Sequence, residues 1–155
     1  MRVLVWIVEE TWQATVAAAA AFAPADAELT LLYVRASDAE EMATGGRYGL
    51  LGRPLHPHTE RINSISEQSA NELLADARTL LGREAVLDVR TGRLEDEVAA
   101  AAQTNDLLVL ARDKDRGHRG PKSLGPTARH IVDHSLCAVL IVWPDRSVSD
   151  NEPKR

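Results

Sequence analysis

The sequence predicts an α/β domain built on a parallel sheet, and three observations carry that prediction. Five short apolar runs of strand length recur along the chain. Segments with helical signals separate them, and that alternation is the mark of βαβ units. Several runs are continuously apolar rather than alternating, as expected of strands buried on both faces. At 155 residues the chain fits one domain with a sizeable core, and it shows no internal repeat and no second domain.

The elements follow in order. Val3 to Val8 is the first buried strand. "TWQATVAAAAAF" is a helix, with Thr11 placed to cap it and Pro24 just past its end; its alanines allow close packing on a sheet. "ELTLLYV", Glu28 to Val34, is the second strand. Residues 36–62 hold Gly45, Gly46, Gly49, Gly52, Pro54 and Pro57 and keep no period, as in functional or mobile connections. Ile65, Leu73, Leu74, Ala77, Leu80 and Leu81 recur at helical spacing, and Gly82 closes that helix. "AVLDVRTG" is the third strand, with Leu87 and Val89 in phase and Val86 out of it. "LEDEVAAAAQ" is a short helix with its acids in the first turn, where the helix dipole favours them. "DLLVLA", Asp106 to Ala111, is the fourth strand. A helix starts near Pro126, a residue suited to a first turn. "CAVLIVW", Cys137 to Trp143, is the fifth strand, ended by Pro144, and a polar tail over 145–155 reads as disordered. The domain is therefore expected to span residues 1–144.

Composition narrows the function. A net charge of -5 argues against bulk nucleic-acid binding. One cysteine, Cys137, rules out an intramolecular disulfide framework and suits a reducing compartment. No apolar run approaches the roughly 18 residues of a spanning helix, and the apolar start of "MRVLVWIVEE" is too short for a signal peptide. A cytoplasmic protein without nucleic-acid or membrane partners is expected.

In open α/β sheets ligands sit beyond the carboxyl ends of the strands, at the switch point of the strand order. The loops after the first and fourth strands are thus the places to search. After the fourth, Arg112, Lys114, Arg116, Arg119 and Lys122 outnumber Asp113 and Asp115. Gly125, Thr127 and Ala128 then supply N–H groups at a helix start, a natural anion site, although Pro126 removes one donor. Glu9 and Glu10, after the first strand, suit a divalent metal or a ribose hydroxyl. Elsewhere, "HPH" (His56 to His58) has no third ligand nearby to complete a metal set. His130 and His134 share a helix face without an HExxH pattern, Cys137 opens a buried strand, and no Ser-His-Asp arrangement is legible. A phospho-receiver site would need an aspartate after the third strand and a lysine after the fifth; "RTGR" and "WPDR" stand there instead.

Over most of its length the chain resembles the universal stress protein family, a branch of the adenine-nucleotide α-hydrolase-like fold. "RVLVWIV", "AELTLLYV" and "NDLLVLA" look like its first, second and fourth strands, and "GPTARHIVDHSLCAVLIV" is the most specific part, with His134, Cys137 and Val139 in the family's H-x-x-C-x-V register. The resemblance implies a single doubly wound domain, with five parallel strands in the order 3-2-1-4-5, helices on both faces, and dimerisation. Nucleotide-binding members carry G-x2-G-x9-G-[ST] after the fourth strand. Here Ala111 and Lys114 replace the first two glycines, Gly125 comes one residue late, and Pro126 stands at the Ser/Thr position with Thr127 behind it. Gly117 and Gly120 do not restore the spacing. The family's aspartate after the first strand falls at Val8 or Glu9. The expectation is a stress-response regulatory dimer with no required cofactor and weak or absent nucleotide binding, acting on a protein partner the sequence does not identify. The alternative is an ATP/ADP binder with magnesium and slow or no hydrolysis. Its contacts would be Val34 for adenine, Ala111, Lys114, Gly125 and Thr127 for phosphate, and Glu9 for the metal. The fifth strand would be an exposed apolar edge, which favours self-pairing through Val139, Leu140, Ile141, Val142 and Trp143.

Overall fold

The computed structural model describes residues 1–37, 67–112 and 124–144. Five strands are present: β1 (Arg2–Trp6), β2 (Glu28–Arg35), β3 (Val86–Thr91), β4 (Leu107–Ala111) and β5 (Ala138–Val142). Between them lie α1 (Trp12–Phe22), α2 (Glu67–Leu81), α3 (Leu94–Ala102) and α4 (Pro126–His134). The strands form one sheet in the order β3-β2-β1-β4-β5, with every neighbouring pair parallel, as the resemblance implied. The expected tail over 145–155 and most of the 36–62 connection lie outside the described residues.

Alternation along each strand feeds two cores. Val3, Val5, Leu29, Leu31, Tyr33 and Val109 point to one face, where α1 and α2 bring Val16, Ala19, Ala70, Leu74, Ala77 and Leu81. Leu4, Trp6, Leu32, Val34, Leu108 and Leu110 point to the other, covered by Val98, Ala101 and Ala102 of α3 and Ala128 and Ile131 of α4. Continuous apolar strands result because both directions are buried. On β3, Leu87 and Val89 pack on the α1/α2 core while Val86 is exposed, the phase expected from the sequence.

Local signals hold in part. Gly82 closes α2 in the left-handed region, φ +67, with its N–H donating to the Arg78 carbonyl at 3.1 Å, where a side chain would be strained. Thr11 is the N-cap residue of α1, as expected, but its side chain makes no capping hydrogen bond. Its ψ of -1 is not the extended geometry a capping side chain needs. A turn bond from Thr11 N–H to the Val8 carbonyl holds it there, and its buried position serves packing instead. β1 ends at Trp6, two residues short of the apolar run, although Ile7 N–H still donates to Leu32 O at 2.8 Å. At the opposite end of the sheet Arg83 donates to the carbonyls of Ala23, Pro24, Ala25 and Ala27, tying the α2–β3 connection to the α1–β2 turn.

Candidate functional site

The strand order reverses at β1, whose neighbours are β2 and β4. The chain leaves β1 for α1 on one face and leaves β4 towards α4 on the other, so the crevice of an open α/β sheet lies between them. Glu9 follows β1, Ala111 ends β4, and Gly125 and Thr127 begin α4. Val34 is the penultimate residue of β2, is 3% exposed, and is packed in the α3/α4 core rather than open to a ligand. Ala111 is also buried, in register with Val142 of β5. Lys114, Arg116, Arg119 and Lys122, with Gly117 and Gly120, lie outside the described residues, as do His56 and His58.

Gly125 is the N-cap of α4, with φ -62 and ψ 166. Any residue adopts that geometry, so glycine there matters for a bare surface and not for backbone freedom. The helical ladder starts with Arg129 N–H donating to the Gly125 carbonyl at 3.0 Å. The N–H groups of Thr127 and Ala128 precede it and project from the helix start, the feature that suits an anion. No side chain caps them at Gly125. The Thr127 hydroxyl is directed to Glu95 Oε1 of α3 at 3.5 Å, so a carboxylate borders the same helix start. Glu95 also faces Arg93, with Oε2 3.4 Å from Nε.

Glu9 is exposed, yet its Oε1 accepts a 2.7 Å hydrogen bond from Tyr33 Oη. Tyr33 is 4% exposed and lies in the α1/α2 core, on the face opposite Val34. Burial, then the hydrogen bond to Glu9 and its charge, push the phenol well above its ordinary range, with Arg35 opposing. Tyr33 therefore remains a neutral donor, and one Glu9 oxygen is committed to it.

Two other sequence candidates come into view. His130 and His134 stack with ring centroids 4.0 Å apart and planes 22° from parallel, and His134 Nδ1 lies 2.8 Å from the His130 carbonyl. Nearly parallel rings do not aim both imidazoles at one ion. Burial pushes the Cys137 thiol up, partly offset by backbone hydrogen bonds, which disfavours a nucleophilic thiolate. Among the described residues no cluster of three or more His, Cys, Asp or Glu is placed to hold a metal, and no helix is long and apolar enough to cross a membrane. Sequence reasoning missed Tyr33 and Glu95. A buried tyrosine near a strand end needs a hydroxyl partner, and that was the available signal for the first; for Glu95, one of three first-turn acids in α3, there was none.

The model of the universal stress protein family matches residues 1–142. Universal stress protein UspA from Lactobacillus plantarum is similar in structure, with a TM-score of 0.64 and 18% identity over 92% of this chain and 97% of that one. A universal stress protein family protein from Arabidopsis thaliana with AMP bound gives 0.58 and 13%, covering 99% of this chain and 97% of its own. A universal stress protein in complex with cAMP gives 0.58 and 17%, over 94% and 98%. At such identities the structural likeness establishes the fold alone. No curated protein matches the chain significantly. The family model spans every strand and helix described above, so the chain belongs to the universal stress protein family.

Proposed function

We propose that this stress-response protein acts in the cytoplasm as a homodimer paired through β5, binds adenine nucleotide weakly or not at all, and signals through a protein partner. The observation that carries the dimer is the composition of β5, an edge strand of sequence AVLIV without a charge, followed by Trp143 at 57% exposure and preceded by Leu136 at 82%. An uncharged edge invites another strand, and pairing with its own copy across a two-fold axis closes it.

Weak nucleotide binding is supported by prior commitments of the side chains. Glu9 is engaged by Tyr33, Thr127 points at Glu95, Val34 is packed in the core, and Ala111 places a methyl where the family pattern has glycine. The second reading is an ATP or ADP binder with magnesium and at most slow hydrolysis, contacting Glu9, Val34, Ala111, Lys114, Gly125 and Thr127. The open start of α4 favours it, as do the relatives whose structures hold AMP and cAMP. Calorimetric titration with ATP and magnesium, with assay of nucleotide released on denaturation, separates the two. No heat and no released nucleotide is the expected result; micromolar binding or carried-over adenine nucleotide selects the second reading. Sedimentation of the wild type tests the dimer, and a monomer at micromolar concentration would remove it.

A further inference from the structure

We propose that β5 pairs antiparallel with β5 of a second copy about a two-fold axis at Leu140, so that each Trp143 lies over the partner's Cys137. This rests on the reading of the protein as a dimer paired through β5, and names the register and the contact that close it.

The backbone of β5 restricts what can pair with it. Ala138 N–H donates to Asp106 O at 3.2 Å, and Arg112 N–H donates to Val142 O at 2.8 Å, so Ala138 and Val142 turn their polar groups to β4. Alternate residues of a strand face the same side. Leu140 therefore joins that set, and Val139 and Ile141 turn their N–H and carbonyl groups the other way. β5 is the last strand on that side of the sheet. A hydrogen-bonded antiparallel pair sets one outward residue against another. An axis at Leu140 does this by opposing Val139 to the partner's Ile141, and it matches the whole of β5 with its copy. An axis at Val139 or Ile141 keeps the bonding pattern but leaves part of each strand unmatched. An axis along the strands gives a parallel pair with Val139 opposite itself. That pair cannot bond, because a parallel residue bonds to the neighbours of the one opposite, as Ala138, opposite Leu107, bonds to Asp106.

The side chains agree with this register. β5 carries no charge, so its copy brings no like charge against it. Opposed residues of an antiparallel pair share a face. Cys137, Val139 and Ile141 pack on the α3/α4 core, and Leu140 and Val142 pack on the α1/α2 core. The next alternation carries Trp143 to the α3/α4 side, where the partner's Cys137 stands opposite. In one chain Trp143 is 57% exposed, and the pairing gives its indole an apolar neighbour.

The test uses the sole cysteine of the chain. Trp143→Cys places a second thiol opposite the partner's Cys137, where opposed Cα atoms stand about 5.5 Å apart, within the span of a disulfide. Within one chain the two positions are about 20 Å apart along the strand and cannot join. Leu140→Cys keeps the indole and puts a thiol on the axis, about 4.5 Å between Cα atoms from its own copy. The full-length proteins are oxidised mildly, run on gels without reductant, and mapped by mass spectrometry of the linked peptides. A covalent dimer is expected in both variants, joined from Cys137 to position 143 in the first and from position 140 to position 140 in the second. Wild type, with its two thiols at opposite ends of the paired strands, is expected to stay unlinked. A dimer by sedimentation that yields neither link overturns the proposal and leaves the dimer reading standing. A wild type linked through Cys137 to its copy overturns it as well, because that requires another register. A link at position 140 without one at position 143, in a Trp143→Cys protein that still sediments as a dimer, overturns the contact with Cys137. A wild type that sediments as a monomer removes the dimer reading and the register with it, so the two failures are distinguishable.

Discussion

The two edges of the sheet are made differently. β3 carries Asp88 and Arg90 among its apolar residues; Arg90 pairs with Asp88 at 2.9 Å and with Glu97 at 3.7 Å. β5 carries no charge, and Trp143 at its end is largely in solvent. Charges along an edge strand deter further strand pairing, because a new neighbour would have to desolvate them. Among the described residues the same fold thus presents one edge guarded by charge and one without it. Under the proposed pairing, the composition of each edge, and not the strand order, selects the side where a copy docks.

The largest expected effect comes from placing a charge at the open edge. All of β5 from Val139 to Val142 is half-buried, with Leu140 and Val142 on the α1/α2 core and Val139 and Ile141 on the α3/α4 core. A charge at Ile141 therefore damages packing as well as pairing, and an aggregate or monomer is expected there. Trp143→Glu is the cleaner variant, because the ring is 57% exposed. Its sedimenting mass should halve while its thermal midpoint for the monomer fold is retained. An unchanged dimer in Trp143→Glu and Ile141→Lys together would assign the interface elsewhere.

The converse change should make the guarded edge behave like the open one. Asp88→Val with Arg90→Val leaves β3 uncharged and turns it towards the composition of β5. Concentration-dependent association beyond the dimer is expected by light scattering, while single substitutions at either position should not produce it. The ion pairs themselves contribute little, on the order of 0.5 kcal/mol, because Arg90 and Asp88 are about one-third exposed. A double variant that stays dimeric at all concentrations would show that β3 is protected by something other than charge.

Much of this contrast was legible in the sequence. Five apolar runs gave five strands, and Val86 out of phase with Leu87 and Val89 already marked β3 as a strand with one wet side. The candidate site was less legible. Gly125 and Thr127 lie at the start of α4 as expected, but the groups that engage the site's acid and hydroxyl do not announce themselves. Tyr33 and Glu9 are 24 residues apart, and Glu95 and Thr127 are 32 apart. Each contact depends on which face and which end of the sheet a neighbouring element reaches, and local periodicity does not encode that. Thr11 takes the N-cap position that its residue type suggests, but the turn to Val8 leaves its side chain without a capping bond.

The smallest effect distinguishes the two halves of the sheet by pH. The polar commitment of the β2–β3 half includes Tyr33, paired in register with Val89 and bonded to Glu9. Phe at this position keeps the ring and removes only the hydroxyl. Because Glu9 is exposed and regains water, the loss at neutral pH should be about 1 kcal/mol, near that of an ordinary hydrogen bond. The alkaline limb carries the sharper signature. The folded phenol titrates above its unfolded value of about 10, so the folded state holds its proton where the unfolded chain releases it. Stability attributable to Tyr33 is then fully present below pH ~10 and declines as pH rises from there towards the folded value. Denaturant midpoints of the wild type should fall over that window more steeply than those of Tyr33→Phe, and Trp143→Glu should leave the difference intact. Parallel alkaline limbs in wild type and Tyr33→Phe would mean that neither burial nor the Glu9 bond raises the phenol in the folded state. With that bond absent, the acid after β1 is open to a ligand, and the case for weak nucleotide binding loses one of its supports.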